Sequence, residues 1–211
     1  MDRSSHDTAP EAALVVSTWL PEEFADEFAL WCDAHHRGLL TVPGVRRARR
    51  FEVRSGSSSD SPDILVTYEL DDASITSSTL WRERGMAHGP LPTEIAERLR
   101  SEVRPMGMAA AFPSRWWPPL AADLLDVFTV NGSTRVDALV DAVDLLAPDD
   151  DRIVTLRILR DTSETALVLI DHRAEEGRDT IDLLTDASGA HRSRWTVVFD
   201  ESADGGEPTD A

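Results

Sequence analysis

Runs with strand-like alternation and runs at helical spacing succeed one another in a fixed order, twice, and this recurrence limits the folds open to the chain more than any other feature. In the first half, Ala13–Trp19 is a β-rich run, and Pro21 opens a helix whose first turns carry Glu22, Glu23 and Asp26. Gly38 or the Pro43-Gly44 pair ends that helix. Val45–Arg54 and Ile64–Leu70 then read as strands, Ala73–Gly85 and Thr93–Val103 as two short helices, and Met106–Trp117 as an irregular strand. After Pro118-Pro119 the pattern returns: strand Leu124–Val130, helix Thr134–Leu146, strands Arg152–Arg160 and Ala166–His172, helix Glu175–Thr185, strand Arg194–Phe199.

The order β-α-β-β-α-β is that of a ferredoxin-like unit, in which one sheet face carries the helices and the other needs a cover. Two such units in one polypeptide can cover each other. The expected fold is therefore α+β, with a first unit over residues 12–118 and a second over 119–200, packed sheet against sheet as a pseudo-two-fold barrel. Residues 1–11 and 201–211 are polar and acidic and read as disordered tails. With the sheet already covered from within the chain, a monomer suffices, and a homodimer through outer strands stays open.

Composition removes several function classes. The 211 residues carry a net charge of -18, with 13 Arg against 18 Asp+Glu up to residue 120 and 8 against 21 beyond it, so a phosphate backbone would be repelled and nucleic-acid binding is not expected. All 21 basic residues are arginine, which rules out lysine Schiff-base chemistry and a Walker-type phosphate loop. Cys32 is the only cysteine, so neither an intrachain disulfide nor a cysteine-based zinc cluster can form. No apolar run approaches the ~20 residues needed to cross a bilayer and the N-terminus lacks a signal-peptide pattern, so no membrane association and a cytoplasmic location are expected.

The candidate chemistry lies mostly in the first half. Phe24, Phe28, Trp31 and His35 recur at helical spacing, which makes His35 a hydrogen-bonded core residue and sets His36 on the shoulder of the stripe near the helix C-terminus, where the dipole raises its pKa slightly. There His36 is either an acid/base group for a ligand between helix and sheet, or a capping residue held by Asp33. Tyr68, the only tyrosine, alternates with Val66 and Leu70; its phenol either orients a substrate oxygen or reaches a nearby backbone group. Arg46 and Arg50 share one face of their strand and Arg47 and Arg49 the other, so at most one pair is expected to point inward, the alternative being a solvated strand paired with nearby acids. Trp81, Trp116 and Trp117, with Met86, Met106 and Met108, either line a pocket for a flat ligand or seal the two halves together. Adjacent His35 and His36 diverge by about 100° on a helix, too far to share one ion, and His88, His172 and His191 lack ligand spacing, so no metal site is expected. A haem, needing one axial histidine, leaves no signature of its own.

The segment Trp31-Cys32-Asp33-Ala34-His35-His36, the corner Val42-Pro43-Gly44 and the strand end Tyr68-Glu69-Leu70 resemble the dimeric α+β barrel superfamily, and within it the EthD-like small proteins. Those have Trp-Tyr-Asp-x-x-His on the first helix, Val-Pro-Gly at the corner and Tyr-Glu-Leu on the third strand; Cys32 departs by replacing the aromatic residue. The second half lacks the helix motif and the corner. The resemblance implies a small enzyme without cofactor that acts on an aromatic or polyketide-like metabolite by proton transfer, as a cyclase, isomerase or monooxygenase. It makes His36 the acid/base, Asp33 its orienting partner, Tyr68 and Arg50 the groups holding an enolate or phenolate, and Trp31 and Trp81 the walls. The alternative is a non-catalytic binding or scaffold protein of the same fold, and the direction of the His36 ring separates the two.

Overall fold

The computed structural model describes residues 10–55, 61–112, 124–132, 134–138, 140, 153–162, 165–172 and 191–203. In chain order its elements are β1 (Ala12–Trp19), α1 (Ala25–Leu40), β2 (Val45–Ser55), β3 (Ile64–Leu70), α2 (Thr79–Gly85), α3 (Thr93–Arg98), β4 (Arg100–Phe112), β5 (Leu124–Asn131), β6 (Ile153–Arg160), β7 (Thr165–His172) and β8 (His191–Ser202). The strands close into an antiparallel eight-stranded barrel in the order β1-β3-β2-β8-β5-β7-β6-β4. Closure leaves no sheet edge exposed to another chain. No helix among the described residues is long and apolar enough to cross a membrane.

Alternation along each strand divides the side chains between two layers. Ala13, Val15, Phe51, Leu65, Met106, Leu125, Val127, Leu159, Leu167, Leu169 and Trp195 form one buried cluster drawn from all eight strands, which is the barrel interior. The residues between them face outward. Leu14, Ala48, Val66, Tyr68, Leu70 and Phe199 pack beneath α1 with Phe28, Cys32 and Leu39, while Phe128, Val130, Ile158, Val168 and Ile170 form a separate outer cluster over the second-half strands with Val136. Strands β3 and β7 are thus covered on both faces, which is why their sequences are nearly continuous apolar runs.

The connections follow local chemistry. A 3-10 turn, Glu22–Phe24, leads into α1, and Ser78 caps α2 by accepting the Trp81 N–H at 3.1 Å. At Gly38 a Cβ would lie 2.6 Å from the Arg84 carbonyl oxygen, so glycine lets α1 and α2 approach closely. The Pro43-Gly44 corner turns through Gly44 at φ 88°, where a Cβ would also strike Ile75.

Several element boundaries differ from those read in the sequence, among them the helix read over Ala73–Gly85, which is a 3-10 turn, Ala73–Ser77, followed by α2. The helix expected over Thr93–Val103 stops at Arg98, because Leu99 is extended and β4 starts at Arg100 to pair with β1 as far as Trp19. Strand β8 runs to Ser202, two residues into the expected C-terminal tail, held there by pairing with Arg47. Residues 134–138 and 140 are helical; the rest of that expected helix, and all of Glu175–Thr185, lie outside the described residues.

Candidate functional site

The layer between α1 and the outer face of β2, β3 and β8 gathers most of the candidate residues. The buried stripe of α1 is Phe28, Cys32, His36 and Leu39. His36, expected on the shoulder, lies at its centre with 0% exposure, whereas His35, expected in the core, is only partly buried. Both stripes contain Phe28 and part after it: the sequence reading steps three residues to the aromatic Trp31, whereas the fold buries Cys32, four residues on, so His36 takes the buried position and His35 the flank. His35 stacks on Trp31 and its Nδ1 lies 2.8 Å from the Gly85 carbonyl oxygen.

The His36 ring faces the sheet. Its centroid is 5.4 Å from Tyr68, edge-on, and 4.9 Å from Phe199 on β8, and neither ring nitrogen has a hydrogen-bond partner among the described residues. Burial, reinforced by the neighbouring His35, Arg50 and Arg37, lowers its pKa from 6.5 to about 3. The slight rise expected from the helix C-terminus is therefore overturned: with no anion in contact, loss of hydration outweighs the dipole. Neutral imidazole is the resting form.

Arg50 lies on the same outer face, 3.3 Å from Asp33 at Nη2, while its Nε and Nη1 are buried without a hydrogen bond. Asp33 thus pairs with Arg50 and not with His36, which corrects its expected role. Tyr68 is buried, and burial raises its pKa well above the ordinary phenol value. Its ring meets that of Trp81 at 5.4 Å. Burial likewise pushes the Cys32 thiol up to about 12, leaving it an inert small hydrophobe. Trp31 stacks on Phe28 and His35, and its Nε1 donates weakly, at 3.4 Å, to the Gly89 carbonyl. Trp116 and Trp117 lie outside the described residues. No group of three or more metal-binding side chains occurs among those described.

All four β2 arginines are buried, so the solvated-strand alternative fails, as does the limit to one inward pair: both faces of β2 are covered. Arg46 pairs with Asp71 and Arg47 with Asp200. Arg49 reaches across the barrel interior, donating to Asp171 of β7 at 2.5 Å and lying 3.6 Å from Glu69 of β3. Arg157 of β6 closes the ring, 2.8 Å from Asp171 and 2.9 Å from Glu69. Burial alone would raise the Asp171 pKa, but Arg49 and then Arg157 hold it far below the usual carboxylate range. Sequence reasoning missed this quartet, although charged residues inside otherwise continuous apolar strands, as in Leu-Val-Leu-Ile-Asp171, were its available signal. It also missed Phe199, and a buried pair on the outer face of the second half in which His172 Nε2 lies 2.8 Å from Asp126, itself bound by Arg194.

No protein-family model and no curated protein match the chain. Solved structures share its fold. A candidate monooxygenase from Lactobacillus acidophilus NCFM superposes with a TM-score of 0.63 at 5% identity, over 92% of this chain and 97% of its own. An anthrone oxidase-like protein superposes with a TM-score of 0.59 at 10% identity, over 98% and 99%. A candidate monooxygenase from Fusobacterium nucleatum subsp. nucleatum gives 0.58 at 10% identity, over 92% and 95%. At such identities the likeness concerns the fold alone.

Proposed function

We propose that this protein is a small-molecule enzyme of the oxidase or monooxygenase type, acting without a cofactor on an aromatic or polyketide-like metabolite between α1 and the outer sheet face. The observation that carries this reading is the set of orphaned polar atoms in that layer: both nitrogens of His36, with Nε and Nη1 of Arg50. Buried polar atoms in native proteins nearly always have partners, and each one left without costs about 1–3 kcal/mol. A substrate oxygen supplies what they lack. In the empty site His36 is neutral and free to accept a proton from an acidic C–H or phenol. The enolate or phenolate so formed then provides the counter-charge that an imidazolium needs in this dry layer, with the Arg50 guanidinium sharing it. Cyclisation, isomerisation and oxygen insertion all proceed from such an anion. Tyr68, Trp81 and Phe199 shape the apolar wall; Trp31 takes a more distant supporting place than its sequence position suggested.

The finer family reading belongs here too. In register across its neighbouring strand, Arg49 on β2 stands to Glu69 on β3 as Arg157 on β6 stands to Asp171 on β7. The strand orders β4-β1-β3-β2 and β8-β5-β7-β6 run alike about the barrel. Both support two ferredoxin-like units in one chain; the EthD-like character of the first unit, a cytoplasmic location and a monomer or homodimer belong to the same proposal. The second reading is a non-catalytic binding or scaffold protein of the same fold. The deciding experiment is oxygen uptake and product analysis with anthrone, naphthols and β-diketones as probes. Turnover that falls about 10²-fold or more in Arg50→Met supports the enzyme. Saturable binding without conversion supports the alternative, and neither sinks both.

A further inference from the structure

Among the described residues, the barrel interior holds the charged quartet towards one end and borders a cleft towards the other. Glu69 and Asp171 belong to the charged quartet, while Leu65 and Leu167, four residues earlier on the same strands and so about 13 Å away, border a cleft of about 170 Å³. Leu65, Val127, Leu167 and the buried Trp195 form its apolar floor. Ser17, Thr129, Ser193 and Trp19 stand around it with Glu102 and Arg104, whose charges lie 3.6 Å apart and neutralise each other. This cup is on the opposite face of the sheet from His36, so it does not belong to the site proposed above.

We propose that the cup is a second small-molecule site, for an uncharged aromatic of one or two rings carrying a hydroxyl or N–H at its edge. The volume is below the ~300–1,000 Å³ of pockets for drug-sized ligands, which limits the occupant to that size. The leucine, valine and tryptophan floor takes a ring face, and the hydroxyls of Ser17 and Thr129 meet a polar edge. An anion is disfavoured by the chain's net charge of -18.

Phenol and indole, titrated separately into the full chain by calorimetry, test this. At least one should bind saturably at millimolar concentration or below, at least tenfold more weakly to Thr129→Trp, which fills the mouth from a partly exposed position, and unchanged to His36→Leu. Protein-observed NMR of the wild type keeps the test decisive if Thr129→Trp does not fold. The Trp195 indole N–H, which donates to Ser193 at 2.8 Å, and the Thr129 amide should shift first. The proposal is overturned by absence of saturable binding, by wild-type affinity in a folded Thr129→Trp, or by shifts centred on His36 and Tyr68.

Discussion

Arg49 and Arg50 are neighbours in sequence and are both buried, yet they serve different layers. Arg49 points into the barrel, where Asp171 and Glu69 flank its charge. Arg50 points beneath α1, meets one partly exposed carboxylate, and leaves two nitrogens without a hydrogen bond. Arg49 also leaves two nitrogens, Nε and Nη2, without a hydrogen bond, so the two layers differ in counter-charge: two buried carboxylates flank Arg49, and one partly exposed carboxylate stands beside Arg50. The interior network joins strands of both halves, and the outer layer holds the unbonded donors on which the proposed function rests.

The largest expected effect comes from breaking the interior network. Asp171→Ala leaves Arg49 and Arg157 sharing Glu69 and should destabilise the protein by about 3–5 kcal/mol, measured by urea unfolding, since a buried charge loses its partner. Arg50→Met removes a charge with a single, looser partner and should cost clearly less. Equal losses in the two variants would erase the contrast between the layers.

Next comes pH. The His36 pKa is about 3 in the folded protein and about 6.5 unfolded, so its contribution to stability is complete above pH ~6.5 and is lost as pH falls from there towards 3. This is on the order of 4 kcal/mol across the window. Asp171, also depressed when folded, contributes stability that persists above the unfolded carboxylate value near 4 and is lost only at lower pH. Urea midpoints at pH 7 and 4.5 should therefore converge in His36→Leu and stay well apart in the wild type. A wild-type midpoint that does not move between these pH values would show that His36 is not desolvated.

The barrel's elements were legible in the sequence because β3 and β7 are apolar runs bounded by breakers, and β3 was read to the residue. The site was legible as a neighbourhood, since α1 and β3 do bring His36 to Tyr68. Its polarity was not. Whether His35 or His36 faces the sheet depends on whether the step after Phe28 is three residues, to Trp31, or four, to Cys32, and hydrophobic size favours the tryptophan although the small cysteine is the one buried. The quartet escaped for a different reason: an arginine and an acid 122 residues apart carry no local sign that a closed barrel will join them.

A smaller effect sharpens the outer layer alone. His36→Leu keeps much of the volume and removes two unsatisfied nitrogens, so the empty protein should become more stable by about 1–2 kcal/mol at pH 7 while losing turnover. His35→Ala should lose about 1 kcal/mol with its bond to Gly85. A His36→Leu variant clearly less stable than wild type would mean that the imidazole is already satisfied, and would remove the main support for a ligand there.

The smallest effect belongs to a contact that looks like those of the interior but lies in water. Arg37 Nε is 2.9 Å from Glu201, as close as Arg157 is to Glu69, and its side chain stacks over Phe199 at 5.6 Å. Yet the two side chains are 59% and 39% exposed, so solvent and salt screen the pair. Arg37→Ala should cost less than about 1 kcal/mol, and most of even that should vanish in high salt. The same geometry then has two values set by burial alone. Should Arg37→Ala destabilise as much as Asp171→Ala, distance rather than desolvation would govern these pairs, and the difference drawn between the two faces of β2 would rest on nothing.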